Sequence, residues 1–406
     1  MNQTCIIVGA GHAAVSLATT LRQEHWEGRI VVIGEEGYLP YHRPPLSKAY
    51  LAGDKTLEEI YLRPAAVFEK AGIEFLVNAR VEAIDRLHKR VTLNNGQSLA
   101  YDKLALTTGS RVRRIALPGV ELDGVCYLRQ LKDADSIRSR IEAGHRAVIV
   151  GGGYIGLETA AIMVQLGMKV MVIEMMDRIL QRVTAPEVSA FYNRVHTEEG
   201  VDIVCNTGVQ ALQGSDCVSE VVCNNGEIYG ADLVIIGVGI VPNLELAASA
   251  GLEVKDGIVV DEYTRSSDPD IVAAGDCTWH YNRLYDRWLR LESVQNATDQ
   301  SRAAAATLCG QEQPYATLPW FWSDQFDLKL QIAGLSQGYT GIVIRGDKDR
   351  SRSFAAFYFK DDRVIAVDAV NMPPEFMIGK KMITEGIVVD KQQLMDTSVH
   401  IREMVK

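Results

Sequence analysis

The feature that most constrains the fold is a pattern that occurs twice along the chain. An apolar run leads into a glycine-rich turn, then into a stretch of helical periodicity, a second apolar run and an acidic residue. The two copies occupy residues 5–35 and 147–174. Buried parallel strands are apolar throughout, and a helix between two of them completes a strand–helix–strand unit. Copies this far apart in sequence predict a duplicated α/β domain and exclude a short-period repeat.

The turn of the first copy has the residues of a dinucleotide-phosphate cradle. Gly9 permits the tight turn, Gly11 lets the backbone approach a pyrophosphate, and Ala14 at the third glycine position still allows close helix–strand packing. The helix that begins here directs its N–H groups and its positive end towards the phosphates. Glu35 stands where an acid would hold ribose hydroxyls, with Glu36 as the alternative.

The second copy carries the complete glycine pattern: Gly151, Gly153 and Gly156, followed by Glu174. A carboxylate at that position accepts hydrogen bonds from a free 2′-hydroxyl and repels a 2′-phosphate. The next arginine is Arg178, so the pattern favours NADH over NADPH. Two such cradles in one chain predict two dinucleotides that face one another, the arrangement in which a hydride passes between nicotinamide and flavin.

Further strand patterns give the domain organisation. Two hairpin-then-strand patterns, near residues 91–106 and 222–236, repeat within the two copies, and an apolar run at 271–274 is expected to return to the first domain. Beyond residue 313 the chain changes to aromatic, strand-like segments. The predicted fold class is α/β, with two Rossmann-like dinucleotide-binding domains and a C-terminal α+β domain. The predicted domains are residues 1–109 with 240–312 for FAD, 110–239 for NADH, and 313–406 for the C-terminal domain.

Composition excludes several classes of function. With 406 residues and a net charge of −10, the chain is not expected to have nucleic acid as its main partner. No apolar run approaches the ~20 residues of a membrane-spanning helix, and the first strand begins at about Thr4, which predicts no signal peptide and a cytoplasmic protein. The seven cysteines are scattered without CxxC spacing and the eight histidines show no ligand spacing, so no metal site is expected.

Three other places carry candidate chemistry. Asp276 follows an apolar run, which puts a carboxylate at the carboxyl end of a strand, where it either binds a flavin ribityl hydroxyl or caps a helix. A helix from Glu292 to about Leu308 would stabilise the anionic ring of a reduced flavin if the amino end of the helix faced that ring. Two prolines fix the backbone before Lys48, which either reaches the flavin and pairs with Glu158 or is a solvated lysine near a loop.

Together these residues resemble the FAD-dependent ferredoxin reductases of bacterial oxygenase systems, which have the glutathione reductase-type flavoprotein fold. The resemblance covers the whole chain and rests on both glycine turns and on five segments: residues 43–48, 151–158, 268–269 with 274–277, 292–294 and 320–325. It implies FAD contacts at Gly9, Gly11, Ala13, Glu35, Lys48, Val81, Arg129, Asp276 and Val294. It implies NADH contacts around Gly151, Tyr154, Ile155 and Glu174. Trp322 resembles the aromatic residue beside the flavin ring, while core packing is the alternative for both Trp320 and Trp322.

The resemblance also indicates where the electrons go. Related disulfide reductases carry CxxxxC beside the first cradle, whereas residues 38–48 of this chain contain no cysteine. A reduced flavin without a thiol relay must discharge to an external acceptor, and a two-iron, two-sulfur ferredoxin fits best. Such carriers are acidic, so candidate docking residues are Arg63, Arg283, Arg287, Arg290 and Arg302, each of which is equally well explained as a scattered surface charge.

Other functions remain open on the same scaffold. One alternative is a rubredoxin reductase or NADH oxidase. Another, from a different class, is a nucleotide-sensing interaction protein resembling apoptosis-inducing factor. Monomer and homodimer are both compatible with the sequence.

Overall fold

The structure is a computed structural model that describes residues 3–405. Internal contacts divide the chain into two compact units. Unit 1 comprises Met1–His42, Leu57–Arg111 and Ile240–Pro319, and unit 2 comprises Arg43–Thr56, Val112–Gly239 and Trp320–Lys406.

The helices and strands follow the predicted alternation. The α-helices are α1 (His12–Gln23), α2 (Ala49–Ala52), α3 (Leu57–Ile60), α4 (Ala65–Lys70), α5 (Leu131–Arg138), α6 (Tyr154–Gln165), α7 (Pro186–Glu198), α8 (Glu245–Ser249), α9 (Val294–Leu308), α10 (Pro373–Glu385) and α11 (Lys391–Met395), with 3₁₀ turns at Pro44–Ser47 and Ile401–Val405. The strands are β1 (Thr4–Val8), β2 (Arg29–Ile33), β3 (Ile73–Leu76), β4 (Val81–Asp85), β5 (Arg90–Leu93), β6 (Ser98–Ala100), β7 (Lys103–Leu106), β8 (Ser110–Val112), β9 (Val125–Cys126), β10 (Arg146–Val150), β11 (Lys169–Ile173), β12 (Val201–Val204), β13 (Val209–Gly214), β14 (Val218–Cys223), β15 (Ile228–Gly230), β16 (Leu233–Ile236), β17 (Ile240–Pro242), β18 (Ile258–Val260), β19 (Ile271–Ala273), β20 (Thr278–Asn282), β21 (Arg287–Leu289), β22 (Trp320–Gln325), β23 (Leu328–Gly334), β24 (Gly341–Gly346), β25 (Phe354–Lys360) and β26 (Arg363–Val370).

Unit 1 is built on a five-stranded parallel sheet in the order β19-β7-β1-β2-β3. Its central strands are buried on both faces, which is why they read as continuous apolar runs in the sequence. Helices α1 and α9 pack on this sheet through their alanine-rich faces. The apolar run at 271–274 forms β19 and joins the edge beside β7, as expected of a strand that returns to the first domain.

Unit 2 repeats the arrangement and adds a second sheet. Its parallel sheet has the order β12-β11-β10-β16-β9, and an antiparallel sheet of order β22-β23-β26-β25-β24 follows from the C-terminal part of the chain. One apolar core runs between them, because Tyr192 and Val188 of α7 belong to the same buried cluster as Leu328 and Tyr358 of the C-terminal sheet. None of the helices within residues 3–405 is both long enough and apolar enough to cross a membrane.

The domain limits drawn from the sequence remain a prediction. Internal contacts group the chain differently at one place, since Arg43–Thr56 lies with unit 2 and not with the sheet that carries Gly9. The reason is local: Leu51 is fully buried in the core of unit 2, and Tyr50 donates a hydrogen bond of 2.7 Å to Asp135. The pattern of apolar residues does not reveal such a crossover, because the helical turns of the segment, Pro44–Ser47 and Ala49–Ala52, are each too short to show a period.

Candidate active site

The first cradle has the backbone that a nucleotide phosphate requires. Gly9 has a φ of +106°, and a Cβ built on it would lie 2.2 Å from the carbonyl oxygen of Thr107, so only glycine fits. Gly11 is the extended residue that precedes α1, and nothing lies within 4 Å of its Cβ position. Ala13 and Ala14 are buried in the packing of α1. The open side of the turn and the first N–H groups of α1 together fit the pyrophosphate of FAD.

Acidic side chains follow β2 in the expected place. Glu35 is exposed, whereas Glu36 accepts a hydrogen bond from the hydroxyl of Tyr41. This difference makes Glu35 the better ribose ligand of the two, since its carboxylate is directed to solvent. Val81, another predicted FAD contact, begins β4 and is 7% exposed.

Asp276 lies beside the first helix. Gly275, with a φ of +89°, brings the backbone so close to α1 that its Cβ would lie 3.3 Å from the Cβ of Ala13. The next residue, Asp276, accepts a 2.7 Å hydrogen bond from the hydroxyl of Ser110. The strand end, the carboxylate and the start of α1 are therefore adjacent within unit 1, which is the arrangement that ligand sites of open α/β sheets use. Val294, also predicted to contact FAD, is the first residue of α9, and the hydroxyl of Ser293 caps that helix by accepting from the Asn296 N–H at 3.0 Å.

The second cradle requires glycine at two positions. A Cβ on Gly151, which has a φ of +111°, would lie 2.5 Å from the carbonyl oxygen of Gly237, and one on Gly156 would lie 2.3 Å from the carbonyl oxygen of Gly151. Gly153 precedes α6 and faces open space. The geometry fits a second dinucleotide, with the start of α6 directed at its phosphates.

Glu174 is fixed against the glycine turn. One of its carboxylate oxygens accepts from the N–H of Gly152 at 2.7 Å and the other accepts from the N–H of Met176 at 2.8 Å. The carboxylate is thus held at the turn by two backbone donors, and its remaining lone pairs are available to a ribose. The negative charge beside the cradle disfavours a phosphate there.

The two other predicted NADH contacts point in opposite directions. Ile155 is 47% exposed on the first turn of α6. The ring of Tyr154 instead packs on Phe321 at 5.0 Å between centroids, and burial raises the pKa of its phenol well above the usual range. Among residues 3–405 its hydroxyl has no hydrogen-bond partner. A contact between Tyr154 and NADH would therefore be made by its backbone N–H.

Lys48 and Glu158 are brought together in unit 2. The Lys48 ammonium lies 2.6 Å from Oε2 of Glu158, with the lysine side chain 17% exposed and the glutamate side chain 1% exposed. The prolines of the Pro44–Ser47 turn place Lys48 at the end of a rigid 3₁₀ turn. A buried carboxylate needs compensating donors, and the ammonium is one of them. Arg129 lies nearby in unit 2, where its carbonyl oxygen accepts a 2.8 Å hydrogen bond from Arg43.

The two tryptophans of β22 border one cavity. Their rings lie 5.5 Å apart, and both are partly exposed. The cavity has a volume of about 660 Å³, and its lining includes Asp324, Lys329, Gln331 and Pro373. Trp320 also packs on Phe376 of α10 at 6.0 Å. Trp320 is therefore the more firmly packed ring, and Trp322 remains the predicted neighbour of the flavin.

Most of the candidate docking arginines already have acidic partners in unit 1. Arg283 pairs with Glu262, Arg290 with Asp256 and Glu292, and Arg302 with Asp299. Arg287 stacks on Tyr285, and Arg63 is exposed. These internal pairs reduce the attraction that three of the five offer to an acidic protein.

Sequence reasoning missed four residues that form a hydrogen-bond network with Glu158. Ser47 and Ser323 donate hydrogen bonds to its carboxylate, Gln325 donates to Ser323, and His196 contacts Gln325. Ser47, Ser323 and Gln325 lie within segments that the resemblance had already singled out. The available signal was the pair of polar residues two apart on β22, which places both side chains on the same face of a strand.

Comparisons with known proteins agree with this geometry. Residues 3–301 match the family model for pyridine nucleotide-disulphide oxidoreductases, and residues 320–405 match the model described as reductase C-terminal. Over 410 aligned residues the chain is 45% identical to putidaredoxin reductase of Pseudomonas putida, an alignment that covers 100% of this chain and 97% of that protein. A rubredoxin-NAD(+) reductase of Pseudomonas putida is 37% identical, with 91% of this chain and 96% of that protein covered.

Among solved structures, the chain is similar to the reductase in the covalent putidaredoxin reductase–putidaredoxin complex. The TM-score is 0.97 at 45% identity, with 100% of this chain and 98% of that chain covered. The comparison confirms the predicted fold class and the resemblance from which the expectations about cofactors and partner were drawn.

Proposed function

This chain belongs to the pyridine nucleotide-disulphide oxidoreductase family, and we propose that it is an FAD-dependent NADH:ferredoxin reductase that delivers electrons to an oxygenase system. The observation that carries the proposal is the pairing of two nucleotide cradles with a cysteine-free segment beside the first of them. A disulfide reductase needs a thiol at that place to receive electrons from the flavin. Electrons from this chain must therefore leave it for an external acceptor.

The residues have separate tasks. The turn at Gly9 and Gly11 would hold FAD, and the turn at Gly151 and Gly153 would hold the hydride donor. Glu174 would bind the adenosine ribose and select NADH over NADPH. When bound, FAD accepts a hydride and releases its electrons one at a time. Lys48, Arg129 and Trp322 remain predicted contacts of FAD.

The proposed acceptor is a two-iron, two-sulfur ferredoxin. Putidaredoxin reductase, to which this chain is 45% identical, is known in a covalent complex with putidaredoxin. A rubredoxin reductase is the second candidate, and the lower identity of 37% to such an enzyme makes it the weaker one. The proposed location is the cytoplasm, where NADH is supplied.

Stopped-flow reduction of the FAD-loaded protein tests the proposal directly. We expect NADH to bleach the flavin absorbance at least about tenfold more efficiently than NADPH, because a carboxylate repels a 2′-phosphate. Mixing the reduced protein with ferredoxin, rubredoxin or oxygen in parallel then identifies the acceptor. Ferredoxin is expected to reoxidise the flavin fastest. Faster reoxidation by rubredoxin or by oxygen would overturn the assigned acceptor, and slow reduction that leaves a long-lived reduced complex would favour a nucleotide-sensing role.

A lysine variant tests whether the Lys48–Glu158 pair contributes to the reaction. Lys48→Met keeps the apolar stem and removes the ammonium that lies 2.6 Å from the carboxylate. We expect the rate of flavin reduction by NADH to fall at least about tenfold while FAD remains bound. Lys55→Met, an exposed lysine in the same segment, is the matched control. An unchanged rate in Lys48→Met would show that this lysine is only a structural partner of Glu158.

A further inference from the structure

Glu158 is the end point of a buried hydrogen-bond chain that begins on another part of unit 2. Its Oε1 accepts from the hydroxyl of Ser323 at 2.6 Å, and its Oε2 accepts from the hydroxyl of Ser47 at 2.6 Å and from Lys48. Gln325 donates its amide to the Ser323 hydroxyl at 3.0 Å. His196 of α7 lies 2.8 Å from the Gln325 carbonyl oxygen.

Every side chain in this hydrogen-bond network except Lys48 is excluded from water. Ser323, His196, Gln325, Glu158 and Ser47 are each at most 2% exposed. At such depth a hydrogen bond is electrostatically stronger than in water, and an unpaired polar group is correspondingly costly. The Glu158 carboxylate accepts from Ser323, Ser47 and Lys48, and these three donors together set its position.

The carboxylate dictates the direction of every bond in the chain. A carboxylate only accepts, so Ser323 must donate to it, and the lone pair of Ser323 must then accept from the Gln325 amide. The Gln325 carbonyl oxygen consequently accepts from His196, which requires the proton of a neutral imidazole to be on Nε2. Burial lowers the pKa of His196 to about 4, in keeping with a neutral ring. Among residues 3–405, Nδ1 of His196 has no partner.

We propose that Ser323, Gln325 and His196 form a positioning relay that orients the Glu158 carboxylate towards the Lys48 ammonium. Strand β22 of the C-terminal sheet would in this way fix the position of the lysine that serves the redox reaction. The relay acts on Lys48 through the carboxylate of Glu158. The inference rests on the proposed function for the reaction that Lys48 serves, while the relay itself concerns contacts within unit 2.

Chemical labelling of Lys48 reports on the relay without any turnover. The FAD-loaded protein is treated with an acylating reagent, and the modification of each lysine is followed by mass spectrometry. We expect Ser323→Ala to raise the labelling rate of Lys48 about threefold or more, because the carboxylate loses the donor that holds it towards the ammonium. Lys103 is an internal reference, since it pairs with Asp270 at 2.6 Å with a side-chain exposure of 25%. Its labelling rate should not change.

The same variant is then read in a double-mutant cycle on flavin reduction by NADH. Alone, Ser323→Ala should slow hydride transfer about tenfold and leave the dissociation constant of NADH unchanged, since no cradle residue is altered. In a Glu158→Gln background the same change should have less than about a twofold effect, because the relay acts through that carboxylate. Ser353→Ala, which removes a hydroxyl bonded to the Asn371 carbonyl elsewhere in the C-terminal part, is the control. It should match the parent.

Gln325→Met provides a second variant if Ser323→Ala fails to fold, and it should raise Lys48 labelling in the same way. ¹⁵N NMR of the histidines gives an independent readout, in which His196 should show the Nε2–H tautomer. Unchanged Lys48 labelling in both variants, or additive effects in the cycle, would overturn the relay. The proposed function fails separately, if the parent protein is not reduced by NADH, and the labelling result would still decide the relay.

Discussion

Asp368 is a buried acid whose titration should be visible in the stability of the protein. It lies in β26 with 1% of its surface exposed, and its Oδ2 accepts a 2.6 Å hydrogen bond from the hydroxyl of Tyr358. Burial raises the pKa of the carboxyl from 3.8 to about 7, and the hydrogen bond from Tyr358 offsets only part of this effect. The carboxyl is therefore protonated in the folded protein under conditions where the unfolded chain has already released that proton.

The sign and size of the effect follow from this difference. The stability that Asp368 contributes is fully present below about pH 4, where the carboxyl is protonated in both states. It is lost progressively as the pH rises to about 7, and no further loss occurs above that value. The shift is about three pKa units, and at about 1.36 kcal/mol per unit it amounts to roughly 4 kcal/mol. About 3 kcal/mol of that loss should occur between about pH 5 and pH 8.

Asp368→Asn removes the titration and keeps the shape. Its amide oxygen can still accept from Tyr358, but the side chain has no proton to lose. The variant should therefore gain about 3 kcal/mol relative to the parent between about pH 5 and pH 8, whatever its difference from the parent at acidic pH. Urea unfolding followed by tryptophan fluorescence at both pH values measures this difference, and other titrating groups cancel between the two proteins.

Asp362→Asn is the matched control, because this neighbouring carboxylate is 84% exposed on the same hairpin and pairs with Lys391 only at the surface. Asp362→Asn should not show the gain of about 3 kcal/mol that is expected of Asp368→Asn between about pH 5 and pH 8, because its side chain is not buried. The reasoning about Asp368 is refuted if Asp368→Asn differs from the parent by the same free energy at both pH values.

Three further substitutions test other parts of the structure. Gly156→Ala should weaken NADH binding at least about tenfold without loss of FAD, because the added Cβ would lie 2.3 Å from the Gly151 carbonyl oxygen. The NADH dissociation constant and the amount of bound flavin are both measured, and a simultaneous loss of FAD would count against separate cradles. Arg345→Met should lower the free energy of unfolding by about 3–5 kcal/mol, because it leaves the buried Glu375 without its cation and removes donors to the carbonyls of Leu394, Asp396 and Val399. A denaturant titration measures this loss, and a value below about 1 kcal/mol would contradict the expectation. Glu174→Gln should reduce the preference for NADH over NADPH about tenfold, measured as the ratio of kcat/KM values, and an unchanged ratio would remove Glu174 from the choice of nucleotide.

The parts of the fold that the sequence predicts well are those whose signal is local. Each cradle is recognisable because its strand, turn, helix and second strand are contiguous, and a glycine such as Gly9 is needed by the backbone itself at a φ of +106°. The strand β25 of the C-terminal sheet is equally clear, since its first six residues are an apolar run that is buried throughout. Such features need no knowledge of distant partners.

The parts that escaped prediction depend on contacts between segments far apart in sequence. Ser323 is 165 residues from Glu158, and Gln325 is 129 residues from His196, so no spacing rule relates them. In isolation each looks like an ordinary polar residue of a strand or helix. The grouping of Arg43–Thr56 with unit 2 escaped for the same reason, because residues that anchor it, such as Leu51 and Lys48, have their partners at distant positions of the chain.

The proposed relay and the shared core of unit 2 connect the packing of the C-terminal sheet to Lys48. Leu328 and Tyr358 of the C-terminal sheet share an apolar cluster with Val188 of α7. This shared core fixes the sheet, and with it β22, against the second nucleotide-binding fold. A rigid strand positions side chains more accurately than a loop does. Burial of Ser323 beside Glu158 therefore joins the stability of the C-terminal sheet to the geometry at Lys48. Substitutions that loosen this core should reduce the rate of hydride transfer before they reduce the binding of either nucleotide.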